Sequence, residues 1–330
     1  MATRPQLPEE PLVVLNAPTD RDGVYWKAAQ ASTGCSLTKT HIIMNGGRAG
    51  VISDMSPPFS STLLQDVLIS VGKGDQMTTM WGVRRHQLVN PRTIRVRVVD
   101  RTRDNQYEAS GITFMKEHAI YDEIHSGEAL YEGCSGENIP AQLLQIRLAG
   151  NRSDPKWSNP RHIVVTDIHG NEIGQKRGLA RAAFAVSIKD SGPAGIVEIK
   201  DPFLRTVQQT QVAKRSDGTW ADSFAAVCVE YCKSLKWTGG YVGYKNPKMT
   251  AVQLFDFANK SNRQTGPEEI TIDGVTFDHN NGICLRLDDT TTKVDIRNCV
   301  GSGDITIFKM AADGIYRVWK KVPLAQGFIY

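Results

Sequence analysis

Along most of this 330-residue chain, apolar residues alternate with polar ones in short runs that stop at Gly, Asn, Asp or Pro. Period-two alternation is the mark of a half-buried strand, whose successive side chains point to opposite faces, and amphipathic helical periodicity is almost absent. The runs fall under one another. Val96-Arg-Val98, Ala129-Leu-Tyr131, Ile163-Val-Val165, Val197-Glu-Ile199, Leu235-Lys-Trp237, Ile270-Thr-Ile272 and Val294-Asp-Ile296 each open a repeat. Cys134-Ser-Gly-Glu-Asn-Ile139 and Ile168-His-Gly-Asn-Glu-Ile173 match at an offset of 34, which also separates Tyr131 from Val165 and Val165 from Ile199. The last pair, starting at Ile270 and Val294, is offset by 24. Constant strands with unequal spacing imply variable loops between stacked turns, none of which can bury its own apolar face alone.

A second strand follows in each repeat: Leu144-Gln-Ile-Arg-Leu148, Val186-Ser-Ile-Lys189, Val227-Cys-Val-Glu230, Val252-Gln-Leu254 and Ile283-Cys-Leu-Arg-Leu287. With their apolar set stacked inward at about 4.8 Å per strand, Gln145, Arg147, Ser187, Lys189, Glu230, Gln253, Arg286 and Asp288 share one outer face. The pattern from about Val96 to Ile307 predicts an all-β fold, a right-handed single-stranded parallel β-helix with variable loops. A β-sandwich is the competing architecture, because short strands and Gly-rich turns suit it too. The common phase after the first strand, at Gly133-Cys134 and Asn298-Cys299, favours the stack.

This sets the expected organisation. Residues 1–30, with Pro5, Pro8, Pro11 and Pro18 around Leu12-Val-Val-Leu15, form an extended arm or a cap over the open end; 31–310 form the β-helix; 311–330 form a C-terminal strand or cap.

Composition leaves this picture unchanged. Hydrophobic residues make up 40% and charged residues 22%, as in ordinary globular chains. The net charge of +4 is scattered apart from runs such as Arg92-Thr-Ile-Arg-Val-Arg97, which gives no basic face for nucleic acid. No segment is long and apolar enough to span a membrane, and the N-terminus lacks an apolar export segment, so synthesis in a cytoplasm is expected. Cys35, Cys134, Cys228, Cys232, Cys284 and Cys299 read as reduced, buried small residues.

Ile270-Thr-Ile-Asp-Gly-Val-Thr-Phe-Asp-His-Asn-Asn-Gly-Ile283 and Val294-Asp-Ile-Arg-Asn-Cys-Val300 resemble rungs of the pectate-lyase-like, right-handed parallel β-helix superfamily. That superfamily includes polysaccharide lyases, polygalacturonase-type hydrolases and phage tailspikes. The resemblance covers about two thirds of the chain, and its motif is structural. Of the polygalacturonase-type motifs (Asn-Thr-Asp, Asp-Asp, Gly-His-Gly, Arg-Ile-Lys) only Asp288-Asp289 is present, and the Arg and calcium-carboxylate pattern of pectate lyases is not evident.

Two carboxylates flanking a sugar bond can hydrolyse it, which makes Asp288 and Asp289 candidates, although Asp288-Asp-Thr-Thr-Thr-Lys293 also reads as a solvated turn. The densest acid–base chemistry lies in Lys116-Glu-His-Ala-Ile-Tyr-Asp-Glu-Ile-His125, giving Glu117, His118 and Asp122 as candidates. If Ile120 points inward, period two sends Asp122 inward and Tyr121 outward, which favours a structural role for Asp122. Arg147, Lys189, Glu230 and Arg286 form a mixed-charge outer row, while Trp81, Trp157, Trp220 and Tyr244 are candidate platforms for sugar faces or caps of the stack. Cys228, Cys232, Cys284 and His279 lack metal-site spacing, and no metal or cofactor is expected. Asn45-Gly-Gly-Arg-Ala-Gly50 reads as a turn, not a phosphate loop.

The resulting expectation is a virion-associated protein, similar to a phage tailspike or decoration protein, made in the host cytoplasm. It would be a homotrimeric projection partnered by a host glycan or by other virion proteins. The alternative is a polysaccharide lyase or glycoside hydrolase using the 117–125 segment or Asp288-Asp289. For that protein a cytoplasmic or non-classically exported location is the counterpart. A third possibility is a cement role in which the N-terminal arm attaches the body to a particle.

Overall fold

The structure, a computed structural model, describes residues 13–17, 22–26, 34–44, 47–53, 59–71, 81–100, 119–139, 142–148, 161–173, 186–189, 194–207, 227–229, 232–244, 252–253, 267–278, 283–287, 293–311 and 316–326. It is all-β, with no helix among the described residues, and its strands form large parallel sheets. Each strand pairs with its counterpart one repeat along. Glu128–Glu132 lies on Arg161–Thr166, then Ala194–Lys200, Cys232–Thr238, Glu269–Asp273 and Lys293–Arg297. Ala129, Ile163, Val197, Leu235, Ile270 and Val294 are in register, as their sequence phase predicts. Ser135–Glu137 and His169–Ile173 pair with Ser135 opposite His169 and Gly136 opposite Gly170, which is the 34-residue offset in space.

The first of the predicted strands needs correction. Val96-Arg-Val98 does not stack on Ala129-Leu-Tyr131; Thr93 lies opposite Tyr131, and Val98 lies opposite Gly136. The strand Arg92–Asp100 runs through a bend that later repeats break in two, so its halves pair with Glu128–Glu132 and Ser135–Glu137. Stacking also begins well before Val96. Leu63–Val71 pairs with Arg92–Asp100, Ser36–Met44 with Leu63–Val71, and Val13–Ala17 with Ser36–Met44. The arm's apolar run is therefore a strand on the stack over 13–17, followed by Val24–Trp26 on Ala49–Ser53.

One residue per repeat bends the first sheet by adopting the left-handed region: Lys39, Asp66, Arg95, Gly133, Asp167, Asp201, Gly239, Gly274 and Asn298, with φ between 47° and 69°. Gly, Asn and Asp suit that region, for lack of a Cβ or because a short polar side chain can hydrogen-bond locally. The bend keeps its backbone satisfied through the stack. Asp167 N–H donates to the Lys200 carbonyl (2.9 Å), Asp201 to Thr238 (2.8 Å) and Gly239 to Asp273 (2.7 Å). The residue after it points inward, which places Val96, Cys134, Ile168, Val275 and Cys299 in one buried column.

The second sheet orders Val24–Trp26, Ala49–Ser53, Trp81–Val89, Ile120–Ser126, Leu144–Leu148, Val186–Lys189 and Val227–Val229, all parallel. A third carries Val252–Gln253, Ile283–Leu287 and Asp304–Met310, closed by the antiparallel Tyr316–Pro323. That last pair is the one antiparallel contact among the described strands. The β-sandwich alternative, built of antiparallel sheets, does not describe this chain.

Apolar columns from the sheets converge on a continuous core that includes Val83, Ile120, Ile146, Tyr131, Val165, Ile199, Trp237 and Ile272, each at most 1% exposed. Within it lies a polar cluster. Arg85 and Asp122 are both 0% exposed, and they pair in register on neighbouring strands. Arg85 donates from Nε to Asp122 Oδ1 (2.9 Å) and from Nη2 to Asp122 Oδ2 (2.5 Å) and Thr93 Oγ1 (2.5 Å), while the Tyr131 hydroxyl donates to Asp122 Oδ2 (2.7 Å). Burial works to lower the Arg85 pKa, and the charge and hydrogen bonds of Asp122 outweigh it, so the guanidinium stays charged. Burial drives the Tyr131 phenol well above its usual range and pushes the adjacent Cys134 thiol up to about 12.

Candidate functional site

On the outer face of the second sheet, directly behind that ion pair, lies the densest group of chemically active side chains among the described residues. It is built from local irregularity. Trp81–Val89 and Ile120–Ser126 stay in register through Arg84–Tyr121 and Arg85–Asp122, then shift before Leu88–Ile124. Gln87 takes a positive φ of 55° at this bulge. A bulge re-aims side chains, and here it turns His86 and Gln87 onto Glu123.

The cluster starts on an apolar footing. Ala49, Ile52, Trp81 and Tyr121 pack together outside the main core, and the Arg84 guanidinium lies over the Trp81 ring at 4.0 Å from its centroid. Such stacking fixes a guanidinium plane through dispersion and cation–π attraction. Arg84 Nε–H then donates to His86 Nε2 at 3.0 Å. Because Nε2 accepts that bond, the ring proton belongs on Nδ1, which faces Glu123 Oε2 at 3.5 Å. The His86 backbone N–H donates to Ser53 Oγ (2.9 Å), and Gln87 Nε2 donates to Glu123 Oε1 (3.1 Å). Arg147, one strand further, approaches Glu123 Oε2 at 3.9 Å and hydrogen-bonds Tyr121.

The electrostatics follow. The hydrogen bond with His86 holds the Glu123 carboxyl below its ordinary range against the opposing effect of burial, with Arg147 and Arg84 adding attraction. Burial raises the Tyr121 phenol, and the Arg147 hydrogen bond only partly offsets this, so Tyr121 keeps its proton at neutral pH. Glu123 lies deep, with a side chain 9% exposed, while the Arg147 side chain is 47% exposed. Solvent therefore meets guanidinium and phenol groups, and the carboxylate sits beneath them.

Of the residues singled out in the sequence, Arg147 and Trp81 come together here, while Asp122 lies on the opposite face of the same sheet. Asp122 faces the core, where Arg85 and Tyr131 occupy its carboxylate. Trp81 is 8% exposed, with one ring face covered by Arg84. Arg147 is outward, and Lys189 stands at the register position beside it. Arg286 stands in the third sheet, in register with Phe308. Glu117, His118, Trp157, Glu230, Asp288 and Asp289 lie outside the described residues. Arg84, His86 and Glu123 escaped the sequence reading: Arg84-Arg-His-Gln87 has no alternation to betray which residue faces out, and the shift at Gln87 is invisible without the neighbouring strand. The one available signal was the pair of acid–base-rich segments, 84–87 and 121–125, which the structure places on neighbouring strands.

Among the described residues, no group of three or more His, Cys, Asp or Glu side chains could hold a metal ion, and no helix is long and apolar enough to cross a membrane. Comparison with protein-family models, curated proteins and solved structures finds no match to this chain.

Proposed function

We propose that the chain winds as a right-handed parallel β-helix and serves as the rigid, homotrimeric, glycan-binding shaft of a virion-associated attachment protein. In this it would be closest in character to the tailspikes of the pectate-lyase-like superfamily. The glycan binds on the outer face at Arg84, Tyr121 and Arg147. Parallel pairing one repeat apart, with a left-handed bend in each, supports the winding. One observation carries the functional part: both ring nitrogens of His86 are engaged, one by Arg84 and one by Glu123. A general base needs a lone pair within reach of the substrate proton, and a glycoside hydrolase needs two carboxylates across the bond. In this cluster the proton-transfer groups are bound to one another, while the outward groups are hydrogen-bond donors. Donors on a fixed apolar footing suit the hydroxyl and acidic substituents of a saccharide.

The second reading, a polysaccharide depolymerase, draws on the same His86–Glu123 pair, which would become a base if a substrate displaced Arg84. The two separate in one experiment. The protein is incubated with a panel of capsular and plant polysaccharides, and retention, new reducing ends and unsaturated uronates are measured. Retention without release is the expected result. Release abolished by Glu123→Gln would replace the binding function with the enzymatic one. Light scattering on the same sample should give three chains per particle; a monomer would overturn the trimer. Tail and capsid genes beside the coding sequence are expected, and sugar-transport genes there would count against the virion assignment.

A further inference from the structure

We infer that His86 is a positioning residue that makes ligand binding at Arg84 sensitive to protons, a step that rests on the glycan-binding function proposed above. Arg84 lies over the Trp81 ring at 4.0 Å and more loosely over the Tyr121 ring at 6.0 Å, and the Nε2 lone pair of His86 beside it takes its one hydrogen bond among those described. That bond exists only while His86 is neutral. Protonation adds a hydrogen at Nε2, which then points at the Arg84 Nε–H, so two donors and two positive charges face each other across 3.0 Å.

Among the described residues, the groups packed on the ring all bear on this exchange. From its own strand come Arg84, which opposes the cationic form, and Gln87, which shares Glu123. Ser53 accepts the His86 backbone N–H and holds the ring's base in place. From the next strand come Tyr121, with ring centroids 5.9 Å apart, and Glu123 at Nδ1, which favours the cation. Arg147 approaches Glu123 from the strand beyond and weakens that support. A proton arriving at Nε2 therefore has a carboxylate to stabilise it and an arginine to displace. The ring turns into a closed ion pair with Glu123, and Arg84 loses the bond that aims it.

The His86 ring is nearly buried, with a side chain 5% exposed, so little water competes for the Arg84 bond. Losing one hydrogen bond to a charged group at a binding site corresponds to a loss of affinity of roughly tenfold or more. The device is local, and it requires no rearrangement of the strands.

Two measurements test it. In the first, the ligand-free protein labelled with nitrogen-15 arginine is followed by NMR from pH 8 to pH 5, with the Arg84 Nε–H resonance assigned by its disappearance in Arg84→Lys. The resonance should be protected from exchange at pH 8 and lost on acidification, and in His86→Gln, which offers an acceptor that does not titrate, it should persist throughout. In the second, affinity for dextran sulfate, whose sulfates stay ionised over this range, is measured at both pH values with neutral dextran as control. Wild type should weaken roughly tenfold or more at pH 5, and His86→Gln should show a pH-independent affinity. Dextran sulfate binding that stays constant, or an Arg84 resonance indifferent to pH, overturns the coupling and leaves the glycan-binding function standing. A proton-linked Arg84 resonance without saccharide binding at either pH does the reverse.

Discussion

Replacing Asp122 with Asn tests the part of the core on which the site is mounted. The substitution keeps the side chain's size and removes its charge, leaving the Arg85 guanidinium, 0% exposed, without a counter-ion. Arg85 would keep its bond to Thr93, and the two bonds to Asp122 would be weakened or lost. Tyr131 would keep at most a neutral acceptor. Breaking a buried ion pair from one side costs about 3–5 kcal/mol, most of it the penalty of an uncompensated charge. Replacing both members by apolar residues, as in Arg85→Met with Asp122→Leu, removes that penalty and is expected to cost less than about 1 kcal/mol. Guanidinium unfolding followed by tryptophan fluorescence measures the difference. Because stacked repeats can open separately, hydrogen exchange in 81–89 and 120–126 should show that the loss is concentrated there. A D122N protein within about 1 kcal/mol of wild type, or a double variant less stable than D122N, would refute the reasoning.

Other expectations follow from single positions. Gly82→Ala would set a Cβ 2.6 Å from the Ala119 carbonyl oxygen and 2.7 Å from Val98 Cγ1, so a loss of about 1–3 kcal/mol is expected in thermal unfolding; a neutral effect would mean the strands are further apart than described. At the left-handed bend, Asp201→Gly should be tolerated and Asp201→Val should lose about 1–3 kcal/mol, judged by denaturant midpoints, and equal midpoints would remove the bend's conformational demand. Glu123 carries a pH signature. Its folded-state pKa is depressed, chiefly by the His86 hydrogen bond, so its contribution is complete above the unfolded value near 4.3 and disappears as pH falls through the lower folded value. Acid unfolding of wild type should accordingly be steeper below about pH 4 than that of Glu123→Gln, and coincident curves would show that Glu123 contributes nothing.

Much of the architecture was legible because two local rules coincide in the later repeats. From Ala129 onward, each inward run of alternating apolar residues ends at Gly, Asp or Asn, the types that tolerate the left-handed bend, so the phase of the strands and the turn residues report the same register. The earlier repeats were missed because their bends lie inside unbroken nine-residue strands, and two of the three are occupied by Lys39 and Arg95, types that do not advertise the left-handed region as Asp66 does. Pairing across the stack sustains a conformation that residue type alone would not suggest. Arg95, for instance, is tied to Asp66 on the next strand by Nε–Oδ1 and Nη2–Oδ2 bonds.

The site was harder to find for a related reason. Asp122 follows the alternation and points inward as the period predicts, and Arg85, two residues after the buried Val83, shares that face and meets Asp122 one strand away. The arrangement of Arg84, His86, Glu123 and Arg147 depends on a register shift at Gln87 and on strands separated by long stretches of chain. Such non-local geometry leaves no period in the sequence. The outward position of Arg147 was legible because its own strand alternates cleanly, with Leu144 and Ile146 buried on either side of Gln145.

The most direct test of the account is calorimetric titration of an acidic polysaccharide, with a neutral one beside it, into wild type and the Arg84→Ala, Arg147→Ala double variant at pH 8. Both groups lie on the outer face, so the double variant should fold as wild type does, with an unchanged circular dichroism spectrum. The account predicts saturable binding of the acidic polymer by wild type and loss of most of that affinity in the variant. Equal affinity in the two proteins would contradict it.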